Sequence, residues 1–477
     1  MALTFFLHPF LLWMLGLGCP LGLAVFLPAI HDGEERQEVP WQWAAEVSDL
    51  PAVLQHVRSQ PWASVLPEDN DQLLREVLAS LLGDDAAGAM TAPGPNAQFR
   101  LGAGPGGSWA SMRSGIEESI LIGAPPAAES PAPPALLHVR IHLPRILQEI
   151  NFDVVRGGIS LPQELLYHHQ QERLQILINP GDLQVSGRNP RAQALVALRR
   201  EVFAVVPADA LAVLSFAVDG ERWLQQGGQG FIEHLRQRLH DFMDAVAGYR
   251  RPEGQRDSLL DEGVVAMGLG TGIEEVIGNM RGQLVLMQMP GFPGTMNPPM
   301  LLAQVDAATD RLLATFLSAL GQDLQPGQQL TLPMTPWGPL TIARGAEGRW
   351  LAGTHPERLT AMLNGEPGGW LDRPEVAAHV DQHLEQGAWA LARWEAAFIR
   401  DYISAGFGIL PAMGELRPLA RQLAPIAAAY RNGDWDASQM SLLPGDESWN
   451  FQLKGPLADF LGVAVLFAVP SGLAIPR

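Results

Sequence analysis

Two chemically versatile side chains are almost missing from this sequence, which contains one cysteine, Cys19, and one lysine, Lys454. One cysteine cannot form an intramolecular disulfide or a cysteine-based zinc site. One lysine leaves almost no candidate for Schiff-base chemistry, and no G-x-x-x-x-G-K-[ST] phosphate-binding run occurs. A G-x-S-x-G elbow is absent too, so serine hydrolase chemistry has no support. These absences remove several common catalytic sets.

Positive charge is also scarce: the chain has 32 lysine and arginine residues and 51 aspartate and glutamate residues, and its formal net charge is -19. Nucleic acids and anionic membrane surfaces need clustered basic residues, so the balance argues against both kinds of partner. The 477 residues are 47% hydrophobic and 17% charged, which indicates an ordered chain with a sizeable core. The length is sufficient for two or three domains of about 150 residues each.

The first 30 residues contain no acidic or basic side chain apart from His8. A bilayer span needs about 20 apolar residues. We therefore expect residues 3–30 to form a single membrane anchor. A cleaved secretory signal is one alternative, and a lipoprotein signal that uses Cys19 is another. The acidic segment 31–38 follows, and we expect it and the bulk of the chain on the extracytoplasmic side.

A strand that turns through an acidic residue into a helix is the recurring unit of this sequence. In Met300–Leu320, a short strand reaches Asp306, which suits a helix cap, and an amphipathic helix follows. The pattern predicts three further corners of the same kind, at Leu136–Ile150, Leu211–Gln226 and Ala388–Ile403.

Several other segments have clear local patterns. The alternation in Leu136–Leu143 predicts a half-buried strand, and Asn179-Pro180-Gly181 predicts a turn between two strands, 173–178 and 182–186. Apolar spacing predicts helices within Val39–Leu82 and over Ala192–Val202, and a strand over Val264–Met267.

The order of features indicates two related halves. The stretch 108–123 leads to the corner at 136–150, and the stretch 349–363 leads to the corner at 388–403. Chance similarity between two α+β segments is the alternative. We expect an α+β fold with mostly antiparallel sheets, helices on one face and two duplicated halves behind the N-terminal segment. The expected divisions are 1–31 for the anchor or signal, 32–100 for a helical membrane-proximal segment, 101–205 for the first half and 206–477 for the larger second half.

Four sequence stretches resemble an uncharacterised family of bacterial membrane-anchored proteins. They are VPADALAVLSF (Val206–Phe216), RGQLVLMQM, MLLAQVDAATDRLL and GRWLAGTHPERL, and the resemblance covers about Gln193–Leu371. The resemblance implies one N-terminal membrane segment and a large extracytoplasmic α+β region. It supplies no catalytic residues to transfer.

One group of residues has metal-ligand spacing. On a helix, His379 and His383 share a face, with Glu375 one turn before, and three such groups can bind zinc. Val380 stands where the H-E-x-x-H motif has glutamate. A solvent-facing helix rich in polar residues is the alternative that we favour.

Other candidate groups have weaker patterns. His168, His169 and Glu172 suit a turn or surface helix, and Gly268, Gly270 and Gly272 suit a glycine turn better than a dinucleotide loop. His138, Arg140 and His142 share one strand face and could meet an acidic ligand, although a solvated face is the plainer explanation. Core packing is expected for the tryptophans at the suspected duplicated positions: Trp109, Trp350, Trp389, Trp394, Trp435 and Trp449.

The function that these observations favour is an envelope-tethered, non-catalytic binding or scaffold protein. A metal-dependent hydrolase that uses Glu375, His379 and His383 is one alternative, and a glycan-binding module with exposed tryptophans is another. We expect no cofactor, a protein partner in the cell envelope, membrane contact through residues 3–30 and no nucleic acid.

Overall fold

The computed structural model describes residues 43–59, 98–104, 107–114, 117–122, 135–142, 173–188, 195–225, 232, 259–266, 268–270, 272–290, 300–319, 321–332, 339–401, 428, 432–433, 435–445 and 448–459. Sixteen strands lie in this part of the chain: β1 (Trp43–Val47), β2 (Gln98–Gly104), β3 (Gly107–Ser114), β4 (Glu117–Ile122), β5 (Leu137–His142), β6 (Arg173–Asn179), β7 (Asp182–Arg188), β8 (Ala212–Asp219), β9 (Arg281–Gln288), β10 (Met300–Val305), β11 (Gln328–Leu332), β12 (Leu340–Arg344), β13 (Arg349–Gly353), β14 (Ala390–Trp394), β15 (Ser438–Pro444) and β16 (Ser448–Lys454).

The helices of the same residues are α1 (Leu50–Ser59), α2 (Gly220–Trp223), α3 (Leu259–Ala266), α4 (Ile273–Gly278), α5 (Ala307–Ala319), α6 (Pro356–Leu363) and α7 (Pro374–Glu385). Two 3-10 helices cover Arg200–Val205 and Trp370–Asp372, and residues 396–401 and 456–459 are also helical.

All sixteen strands belong to one sheet, in which every neighbouring pair is antiparallel. The strand order is β11-β12-β13-β10-β9-β8-β14-β15-β16-β7-β6-β5-β1-β2-β3-β4. The expected α+β class and antiparallel pairing are therefore confirmed. The strands join into one sheet rather than into several.

The helices pack on both faces of the sheet, so the expectation of helices on one face is wrong. Leu302 on β10 lies in the main apolar core with residues of α6 and α7, whereas its neighbour Ala303 lies in a second core beside α5. Successive side chains on a strand point to opposite faces. Both faces of β10 are apolar, which requires a helical cover on each side.

The strand-to-helix corner predicted at Met300–Leu320 is confirmed. Asp306 follows β10, and its Oδ1 accepts a hydrogen bond from the Thr309 amide at 2.8 Å, which caps α5. Asp219 ends β8 and accepts from the Arg222 amide at 3.1 Å. After β14, residues 396–401 are helical and the Ile399 amide donates to the Glu395 carbonyl at 3.1 Å. For the corner at 136–150, residues 143–150 lie outside the described part.

A further corner of the same kind follows β1. Asp49 accepts from the Ala52 amide at 3.1 Å and caps α1. We expected a helix over this region, and residues 43–47 form a strand instead because they pair with β2 on one side and β5 on the other. The predicted helix is present from Leu50 to Ser59.

Two other local predictions are wrong. Residues 195–199, which we expected in a helix, precede the 3-10 helix Arg200–Val205, and Leu195 makes a single bridge to Val218. Residues 264–266 lie in α3 rather than in a strand. The predicted turn at Asn179-Pro180-Gly181 is confirmed, and it joins β6 and β7 in a hairpin.

Helix α5 is fixed to the sheet by Asp310. Its two carboxylate oxygens accept from Arg344 Nε at 3.1 Å and Nη2 at 2.7 Å, and Oδ1 also accepts from Trp350 Nε1 at 2.9 Å. The Arg344 guanidinium lies 5.3 Å from the centroid of the Trp350 ring. The pKa of Asp310 is lowered by Arg344 and Trp350 in spite of the opposing and largest single effect, which is burial.

Strands β7 and β16 pair in the middle of the sheet and join the strands β1–β7 to the strands β8–β16. Their register places Gly187 opposite Trp449. A Cβ atom at position 187 would lie 2.6 Å from the Trp449 ring, so the ring occupies the space that any other side chain would need. Trp449 is buried beneath this junction.

Candidate functional site

The histidines with metal-ligand spacing lie on helix α7. His379 and His383 are four residues apart, their ring centroids are 4.6 Å apart, and each is only 6% exposed. His383 Nδ1 lies 2.7 Å from the His379 carbonyl oxygen. The two rings thus share the helix face that also buries Val376 and Val380. Our favoured alternative, a solvent-facing polar helix, is wrong for these two side chains.

The environment of His379 keeps its imidazole neutral. Burial, the His383 ring and the Arg393 guanidinium lower the pKa of His379 to about 3. The backbone of Ala392 opposes this shift, and Lys454 adds a smaller effect in the same direction as Arg393. Its Nε2 atom has no hydrogen-bond partner in the described structure.

The third predicted ligand, Glu375, is held by arginines. Arg373 Nε donates to Glu375 Oε1 at 3.0 Å, and Arg393 Nη2 lies 3.7 Å from the same oxygen. Both arginines also bind Glu395, with Arg373 Nη2 and Arg393 Nε at 3.0 and 2.9 Å from its carboxylate oxygens. Glu375 is therefore part of a four-residue charge network at the start of α7. Within the described ranges, no three His, Cys, Asp or Glu side chains form a group that could hold a metal ion.

A second polar region follows the middle strands β6, β7 and β16. On one face of these strands the side chains are apolar and buried, among them Ile176, Val185 and Phe451. The alternate side chains form what we term the polar face: Gln175, Asp182, Gln184, Ser186, Asn450, Gln452 and Lys454, together with one apolar residue, Leu177, opposite Gln184. This alternation, which Leu177 interrupts, is typical of an antiparallel sheet with one face away from the core.

Hydrogen bonds order part of the polar face. Gln184 Nε2 donates to Asp182 Oδ2 at 2.8 Å, and Gln452 Nε2 donates to Asp182 Oδ1 at 3.1 Å. One carboxylate thus fixes two amides on neighbouring strands. Gln175 and Asn450 remain exposed.

The row of side chains that contains Gln452 on the polar face becomes apolar as it crosses the sheet from β16 towards β9. The register runs from Gln452 through Ser441 and Leu391 to Ser215 and Val285. Leu391 and Val285 lie in the main core beneath α6 and α7. One face of a single sheet therefore changes from a polar surface to a helix-covered core within a few strands.

In the other direction the row passes from Gln184 through Leu177 to a cluster of charged groups, which we term the Glu46 cluster: Glu46, Arg100, His138 and Arg140. Glu46 on β1 lies opposite Arg100 on β2 and opposite His138 on β5. Arg100 Nε and Arg140 Nη2 approach Glu46 Oε1 at 3.0 and 3.6 Å, and His138 Nδ1 lies 3.9 Å from Oε2. Arg140 lies opposite Gln175, so the cluster adjoins the polar face.

Glu46 is charged in this cluster. The adjacent His138 ring, followed by the Arg140 and Arg100 guanidinium groups, holds the pKa of Glu46 below its usual range against the opposing effect of burial. Sequence analysis placed His138 and Arg140 on one strand face but missed Glu46 and Arg100, which are 54 residues apart. The side chain of His142 and the group His168, His169 and Glu172 lie outside the described residues.

The glycine run and the tryptophans have structural roles. Gly268 and Gly270 have φ values of 68° and 153°, which confirms a glycine turn, although the preceding element is α3 rather than a strand. The expected core packing is confirmed for five of the six tryptophans, which are buried: Trp109, Trp350, Trp389, Trp394 and Trp449. Trp435 is partly exposed.

The fold and these polar groups define an α+β protein built on one continuous antiparallel sheet, with a polar face and an adjoining charged cluster. No protein-family model, curated protein or solved structure matches the chain. Within the described part of the chain, no helix combines the length and apolarity needed to cross a bilayer. The expected anchor, residues 3–30, lies outside that part.

Proposed function

We propose that the chain is a membrane-tethered, extracytoplasmic binding protein without catalytic activity, and that its polar face holds a protein partner. One observation supports this most directly. Leu391, Gln452 and Gln184 belong to one row of side chains across the sheet. Leu391 is buried beneath α6 and α7, whereas at Gln452 and Gln184 the row presents amide side chains. Planar, ordered amides offer donors and acceptors at fixed positions, which suits the recognition of a partner surface.

The proposed partner is another protein of the cell envelope, and the proposed tether is the apolar segment 3–30. The resemblance to membrane-anchored bacterial proteins of uncharacterised function supports this placement, as does the acidic segment 31–38 after the apolar stretch. Fractionation of cells that express the full chain tests it. We expect the protein in the membrane fraction and degradation by protease added outside the cytoplasmic membrane. Recovery in the soluble fraction alone would contradict the tether, and a shortened soluble form would favour a cleaved signal.

We also propose that the chain contains two duplicated halves. The series β4-β3-β2-β1-β5-β6-β7 and β13-β10-β9-β8-β14-β15-β16 have the same order in the sheet, and they meet where β7 pairs with β16. The second series has α5, β11 and β12 as an insertion between β10 and β13. Capping by Asp49 after β1 and by Asp219 after β8 supports the same correspondence. An experimental structure in which residues 143–150 form no helix, or form one on the opposite face of the sheet from residues 396–401, would contradict it.

Capture of the partner tests the polar face. Tagged full-length protein would be purified from detergent-solubilised membranes and its partners identified by mass spectrometry. We compare Asn450→Arg and Gln175→Arg, which place a bulky charge on the polar face, with Ser318→Arg on the exposed side of α5. We expect a stoichiometric partner with the original chain and with Ser318→Arg, and its loss from both polar-face variants.

Two results would overturn this function. Equal recovery of a partner with all three variants would remove the polar face from the interaction. A specific chemical activity of the purified protein that a single substitution abolishes would show that the protein is an enzyme.

A further inference from the structure

His138 is the least satisfied polar side chain of the Glu46 cluster. It is only 4% exposed, and neither of its ring nitrogens has a hydrogen-bond partner in the described structure. Its nearest acidic atom is Glu46 Oε2, at 3.9 Å from Nδ1, which is beyond hydrogen-bond distance. A buried imidazole without partners costs free energy unless a further group binds it.

The geometry of the cluster suits an acidic group. Two guanidinium groups approach one carboxylate oxygen of Glu46 from two different strands, β2 and β5. Planar guanidinium groups match carboxylates and phosphates, and each such bond is strengthened by charge. The carboxylate of Glu46 demonstrates that an anionic group fits between Arg100 and Arg140.

We propose that the Glu46 cluster is a receptor for one acidic group of the partner, a carboxylate or a phosphate, which displaces the carboxylate of Glu46. His138 and Arg140 then bind the incoming group. This inference rests on the proposed function of the polar face, because it names the chemistry by which that face recognises its partner. Glu46 acts as an internal occupant that keeps the arginines in place until the partner arrives.

The neighbouring strands give the acidic group a route to the cluster. Arg140 lies opposite Gln175, which is exposed on the polar face. A partner that covers Gln175 brings its side chains within one strand spacing, about 5 Å, of Arg140. On β14, which matches β5 in the proposed duplication, Arg393 instead binds Glu395, a residue two positions along its own segment. The site is therefore specific to the N-terminal half.

Titration of the full-length protein in detergent micelles tests the proposal. Isothermal titration calorimetry at low salt would use a hexaglutamate peptide as the carboxylate probe and inorganic phosphate as the phosphate probe. We expect one of them to bind, with an affinity that falls as salt is added. Arg140→Gln should weaken that binding at least about tenfold, since a bond to a charged group contributes this much. Arg311→Gln, on the exposed side of α5, should leave it unchanged.

Glu46→Gln gives the sharpest contrast. If Glu46 competes with the ligand, its removal should strengthen binding of the same probe, by about tenfold. If the cluster has a structural role alone, Glu46→Gln should weaken binding of the probe, because loss of the carboxylate would only loosen the arginines. Far-ultraviolet circular dichroism would confirm folding. If Glu46→Gln does not fold, Arg100→Gln provides the test, and it should weaken binding as Arg140→Gln does.

The outcomes separate this inference from the proposed function. No binding of either probe, or equal binding by Arg140→Gln and the original chain, would overturn the receptor. If Arg140→Gln still captures the envelope partner while Asn450→Arg loses it, the polar face binds a partner and the acidic-group site is wrong. If Arg140→Gln loses both the probe and the partner, the inference is supported.

Discussion

A single buried imidazole, that of His379, links the stability of the fold to pH. Its pKa is lowered to about 3 in the folded chain, whereas an unfolded histidine has a pKa of about 6.5. The unfolded state therefore binds more protons below pH 6.5, and stability is lost as pH falls from there towards 3. At pH 5 the loss amounts to about 2 kcal/mol. The charged or titratable groups around it, His383, Arg393 and Lys454, all disfavour its protonation.

Urea denaturation of the original chain and of His379→Gln at pH 7 and pH 5 measures this effect. We expect the original chain to lose about 2 kcal/mol more than the variant between the two pH values. The range stops at pH 5 because carboxylates with lowered pKa values, such as Glu46 and Asp310, contribute at lower pH. An equal loss in both proteins would show that His379 does not titrate in this way.

Asp310 is the residue whose loss should cost most in the attachment of α5. Asp310→Asn removes one acceptor oxygen from Arg344, which is itself mostly buried. We expect a loss of about 2–3 kcal/mol in the free energy of unfolding, because a buried charge then lacks its partner. Asp381→Asn is the matched control, since Asp381 pairs with Arg200 at the exposed surface. Its cost should stay below about 1 kcal/mol.

Thermal and urea unfolding of the two variants would decide this prediction. Losses of similar size would mean that the Asp310 contacts contribute no more than a surface ion pair.

At the scale of elements, the acidic cap defines where α5 begins. Asp306 Oδ1 accepts from the amide of Thr309 at 2.8 Å and lies 2.9 Å from its hydroxyl oxygen. Asp306→Ala should lower the free energy of unfolding by about 1–2 kcal/mol, whereas Asp306→Asn keeps the acceptor and should cost only a few tenths. Chemical denaturation of both variants measures the difference. If asparagine is as costly as alanine, the charge rather than the hydrogen bond is what stabilises the helix start.

The elements with strong local signals were the ones that sequence analysis predicted well. Alternation identified β5, the turn at Asn179-Pro180-Gly181 identified β6 and β7, and the cap at Asp306 located α5. Strand β1 was missed because its sequence, WAAEV, favours a helix by propensity, and only its pairing with β2 and β5 makes it a strand. Helix α3 was missed because the pair Val264-Val265 favours a strand.

In the candidate sites too, sequence analysis predicted the features set by local spacing and missed the contacts between residues far apart in the chain. The shared helix face of His379 and His383 follows from their spacing, but their burial depends on elements that pack over them. The meeting of Glu46 with Arg100 depends on strand register, which no local pattern specifies. The glutamate that binds the arginines at the start of α7, Glu395, lies 22 residues from Arg373 and was not recognised for that reason.

At the scale of the whole molecule, the sheet depends on the contact of β7 with β16. Gly187→Ala would place a methyl group where the buried Trp449 ring lies. We expect a loss of about 1–3 kcal/mol, as for other over-packed interiors. Gly263→Ala in α3 is the control, because a Cβ atom there meets no atom within 4 Å and helix propensity favours alanine. Urea unfolding measures both, and a neutral Gly187→Ala would show that the ring can move aside.

The pairing of β7 with β16 also sets the time at which the protein can be completed during its synthesis. Asp182 and Gln452, which are hydrogen-bonded across this pair, are 270 residues apart in the chain. At about 5–20 residues per second, a ribosome needs roughly 15–50 s to make the intervening segment. Throughout that interval β7 has an unpaired edge, which is the kind of surface that recruits other strands and leads to aggregation. We therefore expect the nascent N-terminal half to depend on a chaperone until the last hairpin, β15–β16, has been made.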